Sequence, residues 1–203
     1  MKKLPVQSRV LDIGTASGTL ARMCQGHPLR LFGVEPNPDW AQIAAPLYER
    51  IVVGSIHDVE DEFLSGYDVV VLGDVLEHLP VPEAVLQRLV GLQASGSMFI
   101  ISVPNIANLW IRLSLLVGRF DYADRGILDR THLRFFTRKT LLEMLKRSGL
   151  EIVSLQVTPI PLELVSRFFL SIPGRWIHAL FARLTSLLPA LLGYQFVLKA
   201  RKP

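Results

Sequence analysis

Val10-Leu11-Asp12-Ile13-Gly14-Thr15-Ala16-Ser17-Gly18 is an apolar run that breaks into a glycine-bearing turn and then a helix pattern, Thr19–Gln25. A strand that enters a helix through glycines opens a βαβ unit. Gly14 and Gly18 let the backbone turn sharply and come close to a ligand. The next apolar run, Leu29–Val34, ends at Glu35, 21 residues after Gly14. A carboxylate at the tip of a second strand can accept hydrogen bonds from ribose hydroxyls.

Working outward, the same alternation continues. Pro36–Leu47 opens on Asn37-Pro38-Asp39, a helix start. Arg50–Val53 is a third strand, and Tyr67–Leu72 is a continuous apolar run of the kind buried on both faces. Pro82–Leu92 is helical, with apolar Val85, Leu86, Leu89 and Val90, and Ser97–Val103 is a fifth strand. Such spacing predicts a parallel sheet. The second half is less regular. It offers an apolar helix at Ile106–Val117, a charged and aromatic loop at Gly118–Phe136, and a helix from N-cap Thr137 to Ser148, stopped by Gly149. Strands follow at Glu151–Val157 and Tyr194–Ala200, around an apolar helical stretch, Leu162–Leu192.

The 203 residues suit one domain. Half of them are hydrophobic, and the mean hydropathy of +0.34 argues against disorder and for exposed apolar surface. The net charge of +4 is unevenly spread. Residues 1–103 carry 7 Lys/Arg against 12 Asp/Glu, whereas residues 104–203 carry 15 against 6. A basic half suits an anionic partner, or is simply a solvated face. The single cysteine, Cys24, excludes an intrachain disulfide and a cysteine zinc cluster. No apolar run follows the charged start Met1-Lys2-Lys3, so no signal peptide is expected, and the cytoplasm is the expected compartment. The first strand comes so early that no cap helix is expected before it.

The Gly14 turn and Glu35 fit NAD and S-adenosylmethionine (SAM) alike, but the dinucleotide fingerprint G-x-G-x-x-G is not met. Here the chain resembles class I SAM-dependent methyltransferases, whose first motif, D-x-G-x-G-x-G, appears as Asp12 to Gly18 with Ala16 at the middle glycine. Tyr67-Asp68-Val69-Val70-Val71-Leu72-Gly73-Asp74-Val75-Leu76-Glu77-His78-Leu79-Pro80 resembles the fourth strand and following loop of the ubiquinone-type O-methyltransferase group. Ser102-Val103-Pro104-Asn105 is similar to its fifth strand end. Gly118–Tyr122 and Gly126–Thr137 resemble bacterial methyltransferases found with surface-polysaccharide enzymes.

The resemblance implies a Rossmann-like seven-stranded sheet, order 3-2-1-4-5-7-6, with the last strand antiparallel. It implies insertions at 105–136 and 159–193 within one domain, as a substrate cap or a membrane or partner surface. It places SAM against Asp12, Gly14, Ala16, Gly18, Glu35 and Asp74. An acid near the adenine is often carried as Gly-Asp after strand three; this chain has Gly54-Ser55, with Asp58 further on.

A sulfonium methyl needs an in-line nucleophile, so positioning carries much of the catalysis. A hydroxyl acceptor also gains from a base, and His78, His132 and Asp74 are the candidates. Asp74, Glu77, His78 and His132 could hold a divalent metal, as some relatives with Glu-x-x-Glu-His do. The favoured alternative has Glu77 and His78 fixing the loop through hydrogen bonds, with no metal. Arg130 and Arg134 suit an anionic acceptor. Asn105, in the segment similar to the strand-five end, is a further candidate substrate contact. Ion pairing of the arginines with Asp121, Asp124 and Asp129 is the equal alternative. His57 and His27 read as surface residues, and His178 falls on the polar side of its helix pattern.

Trp176, Ile177, Leu180, Phe181, Leu184, Leu187 and Leu188 follow helical spacing, and Leu164, Val165, Phe168, Phe169 and Ile172 make a similar stripe. Arg167, Arg175 and Arg183 interrupt the segment, so it is too short between charges to span a membrane. A lid or dimer face stands slightly ahead of membrane contact. The expected activity is SAM-dependent O-methylation of a sugar or lipid-linked glycan. The expected partners are that acceptor, a membrane surface and a second copy, without nucleic acid. The rivals are an NAD-type oxidoreductase and a non-catalytic module docking on a membrane or glycosyltransferase.

Overall fold

The structure, a computed structural model, describes residues 7–161 and 171–203, without the side chains of 172–176. The reading of Met1–Lys3, the stripe at Leu164–Phe169 and Arg167 lie outside the described residues, as do the side chains of Ile172, Arg175 and Trp176.

The strands are β1 (Ser8–Ile13), β2 (Leu29–Glu35), β3 (Arg50–Val53), β4 (Val69–Gly73), β5 (Met98–Pro104), β6 (Glu151–Thr158) and β7 (Gln195–Arg201). They form one sheet in the order β3-β2-β1-β4-β5-β7-β6. The first five run parallel, and β7 runs antiparallel between β5 and β6. This is the expected α/β, Rossmann-like topology. The helices are α1 (Thr19–Met23), α2 (Pro38–Ala44), α3 (Asp61–Leu64), α4 (Pro82–Leu92), α5 (Leu109–Leu116), α6 (Arg138–Arg147), α7 (Ile172–Leu187) and α8 (Pro189–Leu192). The predicted helix at Pro36–Leu47 divides into α2 and a 3-10 turn, Ala45–Leu47, with Pro46 inside the turn. The single turn α3 was not foreseen; its Glu60-Asp61-Glu62 run hides any periodicity.

Strand alternation sorts the core into two layers. Leu11, Ile13, Val70, Leu72, Phe99 and Ile101 pack with Leu86 and Leu89 of α4 and Leu141 and Leu145 of α6. Val10, Leu31 and Val69 pack on the opposite face with Ala21 of α1 and Ala44 of α2. Asn37 caps α2 by accepting from the Asp39 and Trp40 amides. Thr137 caps α6, and Thr140 returns the bond to complete a capping box. Gly149 ends α6 in a left-handed conformation, φ +83°. Parallel strands β1, β2, β4 and β5 end together, so their following loops meet at one edge, where open α/β sheets take ligands.

Candidate active site

A cavity of about 980 Å³ opens at that edge. Its floor is the turn after β1. Gly14 and Gly18 hold positive φ, +76° and +90°, and a Cβ on Gly14 would lie 2.9 Å from the Val75 side chain. Ala16 also sits left-handed, at φ +46°. An L-residue there is held against a steric cost of roughly 1–2 kcal/mol. The Ala16 amide donates to Glu35 Oε2 at 2.8 Å, which fixes the turn. Glu35 is almost wholly buried, and its Oε1 accepts the Asn37 amide at 2.9 Å. Each carboxylate oxygen thus has one backbone partner and a lone pair left for a ligand hydroxyl.

Gly14, Ala16 and Glu35 line the cavity as expected, and so does Asp74. Asp12 does not. The alternation that puts Leu11 and Ile13 on one face turns Asp12 to the other, where it accepts the Tyr48 hydroxyl at 2.5 Å. Burial is the main reason its carboxyl rises to about 6; Glu35 adds to the rise and the Tyr48 bond opposes it. Gly18 shapes the turn from outside the lining, close against Leu47 and Ala44. Asp58 is exposed and stands off the wall, where Ser55, Ile56 and His57 take its place. His57, read as a surface residue, is exposed and also lines the cavity. Trp40 of α2, half exposed, was missed; it lines the cavity beside Glu35 and Pro36.

The opposite wall is built by two loops fastened together. The amides of Leu133 and Arg134 donate to the Glu77 carbonyl at 2.8 and 3.0 Å. The Arg134 guanidinium donates twice to the Pro80 carbonyl. His78 Nδ1 lies 3.2 Å from both the carbonyl and the hydroxyl oxygen of Thr131. Arg134 therefore serves as a staple between the loops and is absent from the cavity lining. Arg130 does line the cavity, but its guanidinium is ion-paired with Asp124 at 2.7 Å. Asn105 is fully buried, and its amide donates to the Ala190 and Gly193 carbonyls. It is spent on the fold and does not reach the cavity.

The predicted metal set comes together only in part. Glu77, His78 and His132 bring one ligand atom each within 4.8 Å of one another. Asp74 is turned away: it accepts from Ser102 Oγ at 3.0 Å and from Gln195 Nε2 at 2.5 Å. Asp74 is also held left-handed, at φ +54°. Glu77 is 1% exposed, and neither carboxylate oxygen has a hydrogen-bond partner. Burial lifts its carboxyl to about 8, and the Asp74 and Asp129 charges add to the rise. The loop is thus held by the Glu77 carbonyl and the His78 ring, and the Glu77 carboxyl takes no part. His132 Nδ1 bonds the Ile127 carbonyl at 3.1 Å, and the two imidazoles meet edge to face at 4.8 Å. One ring nitrogen of each imidazole and the orphaned Glu77 carboxyl thus stand close enough together to suit a divalent cation.

The solved structures that the chain resembles include a SAM-dependent methyltransferase from Archaeoglobus fulgidus, with TM-score 0.64 and 20% identity over 97% of this chain and 86% of that one. Another is magnesium protoporphyrin IX methyltransferase from Synechocystis PCC 6803 with bound SAH, with TM-score 0.63 and 16% identity over 97% and 75%. Among curated proteins, the ubiquinone biosynthesis O-methyltransferase of Xanthomonas axonopodis pv. citri (strain 306) is 24% identical over 156 residues, 73% of this chain. The match spans under two thirds of that relative, 64% of its length. Residues 1–155, well over half of the chain, match the family model described as a methyltransferase domain. With the sheet order, the Gly14 turn and the buried Glu35 already in place, the chain belongs to the methyltransferase domain family.

Proposed function

We propose that the chain transfers a methyl group from SAM to a hydroxyl of a sugar or lipid-linked glycan. The observation that carries this reading is one cavity with the Gly14–Ala16 turn and Glu35 on one wall and His78 on the other. Glu35 holds the ribose hydroxyls, and the apolar Pro36, Trp40 and Ile56 border the adenine space. Bound SAM supplies an electrophilic methyl on its sulfonium sulfur. His78, its Nδ1 fixed by Thr131, has Nε2 left to act as the base and would take the proton of the acceptor hydroxyl during methyl transfer. Asp74 and Arg130, on the same cavity, orient the acceptor's polar groups. The sugar assignment rests on the resemblance of the 118–137 block, and transfer to oxygen on the O-methyltransferase relative. An NAD-type oxidoreductase and a non-catalytic module are not favoured, because the family match covers the turn and the strand ends of the site.

The test is transfer of labelled methyl from SAM to a panel of free and polyprenyl-diphosphate-linked sugars. Activity on a hydroxyl acceptor is expected, with kcat reduced about 10²–10⁴-fold in His78→Ala. Activity only on amine acceptors would overturn transfer to oxygen.

A second reading puts a divalent cation on Glu77, His78 and His132 in place of the His78 base, favoured by the orphaned Glu77 carboxyl. A cation there would acidify the acceptor hydroxyl. Manganese titration by calorimetry is then expected to show one site in the wild type that Glu77→Gln abolishes; no binding would remove this reading.

A further inference from the structure

Two helices that do not touch the cavity show bare apolar stripes. On α5, Leu109, Trp110, Leu113, Leu116 and Val117 share one face, while Ile111 on the other is buried. Trp110 is 70% and Leu116 81% exposed. On α7, Ile177, Leu180, Leu184 and Leu187 recur every three or four residues, all exposed, with Leu187 at 75%. Arg112 falls at the edge of the first stripe and Arg183 at the edge of the second. No helix among the described residues is long and apolar enough to cross a membrane.

Both helices spring from the same rim of the sheet. Asn108, the N-cap of α5, donates its side-chain amide to the carbonyls of Leu192, the last residue of α8, and of Gly193. Asn105 bonds the Ala190 and Gly193 carbonyls, and its backbone amide bonds Tyr194. Beside this junction lies a cavity of about 390 Å³ whose wall includes Arg112, Arg138 and Lys139, with Leu142 and Ala190. Gln195, two residues past Gly193, donates to Asp74 on the wall of the large cavity. The rim is therefore continuous with the proposed active site.

We propose that this rim docks on an anionic lipid bilayer, with the stripes of α5 and α7 in the interface and phosphate headgroups at Arg112, Arg138 and Lys139. Apolar stripes edged by arginine suit an interface. Charge complementarity selects the occupant: the second half of the chain is strongly basic, and three cations stand beside the apolar rim, Lys139 within 3.9 Å of Glu143 and Arg112 donating Nε to the Ala107 carbonyl. A second copy packed two-fold on the same face would bring both sets of cations into one interface. Docking in this manner brings the large cavity to the bilayer surface, where a lipid-borne acceptor resides. That last step rests on the methyl-transfer reading; the docking itself does not.

The test is co-sedimentation of the full chain with vesicles of phosphatidylcholine alone or mixed with phosphatidylglycerol. Binding to the mixed vesicles is expected to exceed binding to phosphatidylcholine at least about tenfold, and to weaken with salt. Trp110→Ser with Leu116→Ser is expected to abolish it. Arg138→Glu with Lys139→Glu is expected to remove the preference for anionic lipid. SAM calorimetry on each variant reports folding. Wild-type protein that binds SAM yet sediments with neither vesicle overturns docking and leaves methyl transfer standing. Vesicle binding without SAM binding overturns methyl transfer and leaves docking standing. A dimer in lipid-free sedimentation equilibrium that Leu116→Ser dissociates also overturns docking, in favour of a self-interface.

Discussion

Up to residue 103 the sheet is covered by α1–α4, and few large apolar side chains face solvent; beyond it the pattern reverses. Among the described residues, fifteen of the twenty exposed large apolar side chains lie after residue 104. The first half is acidic and the second basic. The difference teaches where each part of the site comes from. The cofactor wall is made of backbone geometry: the left-handed turn at Gly14 and Ala16, and a buried carboxylate whose two oxygens each hold an amide. The proposed acceptor wall is made of side chains on loops, joined by Arg134 to Pro80 and by Thr131 to His78. One wall tolerates little change, and the other can be re-edited for a new substrate.

Four substitutions test that contrast. Glu35→Ala removes the proposed ribose acceptor and orphans the Ala16 and Asn37 amides. Loss of charged hydrogen bonds worth about 1.5–3 kcal/mol predicts SAM binding weakened tenfold to a hundredfold, read by calorimetry. Gly14→Ala puts a side chain at φ +76° and against Val75. A stability loss of about 1–3 kcal/mol is expected in urea denaturation. If either change proves silent, the rigid wall is not rigid.

The third concerns pH. Glu77 keeps its proton in the folded chain up to about 8, whereas its ordinary value is 4.5. Above that ordinary value the unfolded chain releases the proton first, so Glu77 makes stability fall as pH rises towards 8. Asp12 acts in the same direction, from 3.8 to about 6. Urea melts in chelator are therefore expected to show a decline between pH 6 and 8 that Glu77→Gln flattens, by roughly 1–2 kcal/mol at pH 8. An unchanged slope would mean that the carboxyl is hydrated or paired. The smallest effect belongs to Arg130→Ala. Its pair with Asp124 is exposed, so stability should move by less than about 0.5 kcal/mol. KM for an anionic acceptor should nevertheless rise.

Legibility followed sequence distance. Gly14, Gly18 and Glu35 sit at strand ends whose position local patterning already reveals, and the sheet order followed from the resemblance. Asp74 was found, but its partner Gln195 stands 121 residues away and arrives only when β7 inserts beside β5. Asn105 is a substrate candidate in the segment that resembles the strand-five end, yet its amide serves Ala190 and Gly193. The two arginines around His132 were indistinguishable as letters, while the fold gives one to Pro80 and the other to Asp124. His57 and Trp40 gave no periodic signal, since each reaches the cavity from a loop or a helix start.

The central claim is that the large cavity is a SAM site, and the most direct measurement is a calorimetric titration of purified protein with SAM and, separately, with NAD. Micromolar binding of SAM at one site, with none for NAD, is the expected result. A folded protein that binds NAD but not SAM, or neither, would contradict it.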